Sequence, residues 1–252
     1  MRRFVAAIAL GLAALQLVSC GGGGSGAGGT SAQRCDTPPL TTPGPGQTNL
    51  FANGGFEEGA NPWCSLATAA WGPPFAVSAT QAHGGGKSAY LRLRSADGGS
   101  ARVYGVVTEI ATDAFPEQLS GYYYVDGWQQ GTAKQYLQFV VIVWGAANQP
   151  ASIAAPNYQI RYVLAGVDSQ PLEISNARYV LVGHGAPEQG HWVHFQRNVR
   201  EDFQQLWGAA PEGFSKLRIL FETRWDDRSP TDGPSSADVY YDDLYLGPAA
   251  AP

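Results

Sequence analysis

Ten short runs rich in β-branched and aromatic residues, each bounded by Gly, Pro, Asn or Asp, constrain this chain most. They lie at Ala76 to Thr80, Ser88 to Arg94, Ala101 to Ile110, Leu119 to Val125, Tyr136 to Trp144, Tyr158 to Leu164, Arg178 to Val182, Trp192 to Phe195, Lys216 to Arg224 and Asp238 to Leu246. Such runs read as strands, and many strands with little helix between them read as a β-sandwich or barrel. The 32 glycines and 17 prolines supply the turns. One helix is expected, from Arg200 to Trp207, because Phe203, Leu206 and Trp207 recur at i, i+3 and i+4 and Gly208 can end it.

The last strand is unusual. In Val239-Tyr240-Tyr241-Asp242-Asp243-Leu244-Tyr245-Leu246, strict alternation places Asp242 on one face with Tyr240, Leu244 and Leu246. A carboxylate on an apolar face is costly unless a cation or several donors satisfy it.

The chain of 252 residues divides by composition into three parts. Residues 1–19 read as an export signal, with Arg2 and Arg3 ahead of an apolar stretch too short for a comfortable membrane span. It ends Leu17-Val18-Ser19-Cys20, which resembles the lipobox of bacterial lipoproteins; the resemblance implies a lipid anchor on Cys20. Gly21 at the next position is similar to the signal for outer-membrane sorting, so the expected location is the cell outer membrane. Residues 20–48 are rich in Gly and Pro and read as a tether. Residues 49–249 hold the strands and form the expected domain. Outside the cytoplasm the two remaining cysteines, Cys35 and Cys64, are expected to pair.

A net charge of −5 without a basic patch argues against nucleic acid as a partner. With three cysteines and no CxxC pair, zinc and thioredoxin-like chemistry are not expected. No pair of carboxylates has the spacing of a glycosidase strand, and no GxSxG or phosphate loop is present. His184, His191 and His194 lie close in sequence, but the last two flank a strand on opposite sides. A non-catalytic protein is therefore expected, with a polysaccharide hydrolase or lyase as the weaker alternative.

Asn49-Leu50-Phe51-Ala52-Asn53-Gly54-Gly55-Phe56-Glu57-Glu58-Gly59 followed by Pro62-Trp63 resembles the opening of CenC-like carbohydrate-binding modules, members of the galactose-binding-like jelly rolls. His83-Gly84-Gly85-Gly86-Lys87-Ser88 is similar to their glycine loop, and Tyr240 to Leu246 to their closing strand. The resemblance implies an all-β jelly-roll sandwich with one short helix. It also implies a structural Ca²⁺ held by Glu57, the Lys87 carbonyl and Asp242, oxygen donors from distant segments that suit this ion. Carbohydrate is the implied partner. Sugars pack their CH faces on aromatic rings, and Tyr122, Tyr124, Trp128, Trp144 and Tyr158 are the candidates, while Trp63, Trp192 and Phe221 are assigned to the core. A structural or adhesive surface lipoprotein without sugar binding is the other reading.

Overall fold

The computed structural model describes residues 30–249. The export signal and Cys20 lie outside the described residues. The strands are β1 (Thr30–Ser31), β2 (Arg34–Cys35), β3 (Leu40–Thr41), β4 (Ser65–Leu66), β5 (Ala76–Ser78), β6 (Ser88–Arg94) and β7 (Arg102–Ile110). They continue with β8 (Gln118–Gln129), β9 (Gln135–Trp144), β10 (Asn157–Ala165), β11 (Ala177–Leu181), β12 (Trp192–Asn198), β13 (Lys216–Trp225) and β14 (Ser236–Gly247). One helix, α1 (Val199–Trp207), links β12 to β13.

Two six-stranded sheets face each other in a jelly-roll sandwich. The first runs β1-β5-β6-β14-β8-β12 and the second β11-β10-β9-β13-β7-β3. Their inner faces bury Leu91, Val125, Phe139, Tyr162, Phe195, Phe221 and Tyr241 in one apolar core. Period-two alternation produces this directly: Tyr123 and Val125 point inward while Tyr122 and Tyr124 point out.

The residues expected to be tether are structured from Thr30 onward. β1 pairs with β5, the Ala32 amide donates to the Phe75 carbonyl at 2.8 Å, and β3 runs parallel to β7. These pairings were illegible because each strand is two residues long and shows no period. Cys35 and Cys64 form a disulfide, Cα to Cα 6.0 Å, which fastens this segment to the outside of the second sheet. Cys64 there packs with Trp71, Val103, Val107, Val140 and Leu220. Cutting a cross-link between residues 29 apart is expected to cost about 3 kcal/mol. Urea denaturation of the Cys35→Ser, Cys64→Ser double variant measures it, and an unchanged midpoint would refute this role.

In α1 the Asn198 side chain caps the start by accepting from the Glu201 amide at 3.0 Å, and Gly208, at φ 90°, ends it in the left-handed region. The buried stripe is Val199 and Phe203, with Trp207 packed against the core, whereas Leu206 is exposed. Spacing alone placed Leu206 on the docking face; the line i, i+4, i+8 is the one the sheet covers.

Strand β14 breaks alternation between Asp242 and Tyr245, and Asp243 takes φ 49°. This bulge inserts one residue, so Leu244 and Leu246 turn into the core while Asp242 stays on the outer face with Tyr240. The expected shared face of Asp242, Leu244 and Leu246 is therefore incorrect.

Candidate functional site

The outer face of the first sheet carries a row of aromatic rings across four adjacent strands. Register alone sets it: Tyr90 on β6 lies opposite Tyr240 on β14, Tyr240 opposite Tyr124 on β8, and Tyr124 opposite Trp192 on β12. Ring centroids step by 4.9, 5.9 and 5.6 Å along the row, close to the spacing of neighbouring strands. Tyr90, Tyr124 and Trp192 are half-buried, so each presents part of a ring to solvent.

Polar groups close one end. The Arg94 guanidinium donates from one nitrogen to both Asp238 carboxylate oxygens at 2.8 Å, and the Tyr90 hydroxyl donates to Asp238 Oδ1 at 2.6 Å. Burial, with Asp238 nearby, pushes the Tyr240 hydroxyl up to about 12, so it stays a neutral donor at physiological pH. One step along the strands, Tyr122 stacks on His83 at 3.5 Å, and His194 lies 4.8 Å from the Tyr122 ring. The arrangement offers apolar ring faces beside planar hydrogen-bonding groups.

The candidates from sequence scatter over three places. Tyr122 and Tyr124 lie in this face. Trp128 lies within β8, and Gly127, at φ 58° beside a register shift, accompanies its packing against the core. Trp144 is half-buried on the outer face of the second sheet. Tyr158 is 1% exposed and packs on Phe203 and Trp207, so it cannot meet a ligand. Tyr90, Tyr240, Trp192 and His83 were missed. Trp192 was assigned to the core, yet its register with Tyr124 puts it on the outer face. Pairing Tyr90 with Tyr240 needs knowledge of which strands are neighbours, which no local signal carries.

The residues implied for calcium form a clasp at the edge of this face. Glu57 Oε1 accepts from the Gly86 and Lys87 amides at 2.9 and 2.8 Å, and Lys87 Nζ donates to the Glu57 carbonyl at 2.6 Å. Asp242 Oδ2 accepts from the His83 and Gly84 amides at 2.7 and 3.2 Å, and Oδ1 from Asp243 at 2.7 Å. Asp243, unassigned from sequence, reaches His83 Nδ1 at 2.6 Å. At Gly84 a Cβ would fall 2.5 Å from the Asp243 carboxylate, so a larger residue there would have to displace that side chain. Among the described residues, no group of three or more His, Cys, Asp and Glu side chains is arranged to hold a metal ion. His184, His191 and His194 are likewise spread: His184 faces Asp168, His191 bonds Glu188, and only His194 reaches the aromatic face.

No family model and no curated protein matches the chain. Among solved structures it is similar to TmCBM61, determined in complex with beta-1,4-galactotriose, with 12% identity, coverage of 79% of this chain and 98% of that one, and a TM-score of 0.40. It is similar to the CBM22-1 xylan-binding domain of Paenibacillus barcinonensis Xyn10C, with 17% identity, coverage of 78% and 93%, and a TM-score of 0.36. It also resembles the enzymatically active domain of tailspike protein 4 of bacteriophage CBA120, with 10% identity and a TM-score of 0.37, over 79% of this chain and 21% of that one.

Proposed function

We propose that this protein binds carbohydrate on the outer face of its first sheet, without altering it. The observation that carries the reading is the row Tyr90, Tyr240, Tyr124 and Trp192, flanked by Asp238 and Arg94. Rings in a row suit an extended glycan chain laid across the strands, and the carboxylate and guanidinium suit its hydroxyls. We place the domain at the outer membrane through a lipid on Cys20, which would raise its effective concentration at the cell surface. The lipobox-like end of the signal and the Gly-rich stretch after it support that placement. A glycan array probed with the soluble protein tests the binding. Absence of binding to every neutral glycan would sink the proposal, and release of cleaved product would replace it with an enzyme.

We also propose a calcium ion at the clasp, held by Glu57, the Lys87 carbonyl and Asp242. Support comes from Asp242: it is 0% exposed, and burial pushes its carboxyl up to about 6, ahead of the lowering effect of the amides around it. Its charged form stays disfavoured even with three amide bonds, a condition that a nearby cation would relieve. The amide hydrogens on the same oxygens weigh the other way. In EDTA the folded state holds the Asp242 proton more tightly than the unfolded chain does. This stabilising share is therefore full below the ordinary carboxylate range and is lost as pH rises through about 6. The thermal midpoint in EDTA is thus expected to fall as pH is raised from 5 to 7, and added calcium to restore it at pH 7. A midpoint indifferent to calcium would remove the ion.

A further inference from the structure

The connection from β5 to β6 delivers a side chain far from both strands. In the first sheet β14 separates β6 from β8, and β12 lies beyond. Yet His83, in that connection, stacks its ring on Tyr122 of β8, with centroids 3.5 Å and planes 15° apart. It also meets Trp192 of β12 edge-on at 5.7 Å. The loop therefore reaches across β14 and sets an exposed imidazole beside the Trp192 end of the aromatic row.

Three carboxylates from two distant segments hold it there. Glu57 takes the Gly86 and Lys87 amides, and Asp242 takes those of His83 and Gly84, so four amides within five residues are committed. Asp243 then fixes the ring, its Oδ2 lying 2.6 Å from His83 Nδ1. It does so from the left-handed backbone region, φ 49°, which costs a non-glycine residue energy and persists where the surroundings impose it. The His83 side chain keeps 32% of its surface in solvent and that of Asp243 40%, so burial does not account for the arrangement.

The carboxylate decides what each ring nitrogen does. An ionised carboxylate only accepts, so Nδ1 carries the proton, and in the neutral ring Nε2 is left with a free lone pair. Among the described residues Nε2 has no hydrogen-bond partner. One face of Tyr122 is taken by the imidazole, so that face supports His83 and is closed to a sugar.

We propose that His83 is a specificity residue of the sugar site, its Nε2 accepting from a hydroxyl of a neutral sugar packed on Trp192, and that Asp243 is its positioning residue. This rests on the carbohydrate reading above. Packing on rings tolerates many sugars, whereas an acceptor in a fixed place rejects one whose hydroxyl is missing or points elsewhere.

Calorimetric titration with a neutral galactose oligomer tests it. His83→Phe keeps a ring on Tyr122 and removes Nε2, and is expected to raise Kd about tenfold. Asp243→Gly accepts φ 49° without strain and removes the carboxylate. It is expected to raise Kd by a similar factor in the parent and no further in the His83→Phe background, a coupling that a role in the fold alone would not produce. Should Asp243→Gly fail to fold by circular dichroism, Asp243→Asn, which lets the ring proton sit on either nitrogen, carries the same cycle with a loss of several fold. A Kd unmoved by His83→Phe, or losses from the two substitutions that simply add, would overturn the proposal. Failure of the unaltered protein to bind this oligomer would overturn it too, while the glycan array decides separately whether any carbohydrate is bound.

Discussion

Replacing Tyr124 and Trp192 together by alanine is expected to abolish neutral glycan binding while leaving the fold intact. Each ring is an aromatic anchor of the kind that dominates binding energy, worth about 2 kcal/mol, or roughly a thirtyfold rise in Kd. The two lie 5.6 Å apart and serve one ligand, so the double loss approaches a thousandfold if their effects add. Both are half-buried on the outside of the sheet, and β12 is an edge strand, so little core packing is lost. Calorimetric titration of the neutral oligomer reads the affinity, and circular dichroism checks the fold. A double variant binding within threefold of the parent would remove the aromatic row as the site. Trp144→Ala is the control, since it lies on the other sheet and should leave neutral binding as it was.

The largest stability effect is expected at Arg224. It is 9% exposed and lies between Glu222, at 3.4 Å, and Asp226, at 2.6 Å. Both acids are buried, and the Tyr136 hydroxyl donates to Asp226 at 2.7 Å. Arg224→Met leaves two buried carboxylates without their cation. The cost of breaking a buried network this way is about 3–5 kcal/mol, which for a domain of this size lowers the thermal midpoint by on the order of 10 °C. Scanning calorimetry measures the shift. Adding Glu222→Gln and Asp226→Asn to Arg224→Met should recover much of the loss, because the charges stranded by the first change are then gone. A single variant as stable as the parent, or a triple variant no better than the single, would show that the network does not hold this end of the sheet.

The strands were legible because alternation is a local property. A run such as Leu119 to Val125 declares its own period, and the observed β8 contains it. The helix was equally readable from its apolar spacing and from Gly208, whereas the capping Asn198 was not singled out. The site was legible only in part. Tyr122 and Tyr124 were singled out as sharing a face, and they do, but alternation divides a strand into two faces without saying which one meets the core. That ambiguity is why Tyr158 was offered as a ligand contact and is buried, and why Trp192 was assigned to the core and is not.

By itself the sequence determined an all-β sandwich with one helix. It also determined that Asp242 needs partners, since burying a carboxylate has the same cost wherever it occurs. Tertiary structure decided the rest. Register between strands far apart in the chain lined up Tyr90, Tyr240, Tyr124 and Trp192, and long-range pairing drew residues from Thr30 onward into the domain. The bulge at Asp243 turned Leu244 inward and left Asp242 outside, beneath the His83–Gly84 amides. Each of these depends on which segments become neighbours, and hydrogen bonding between strands is set by the packing of the whole core, not by the residues next to one another in the chain.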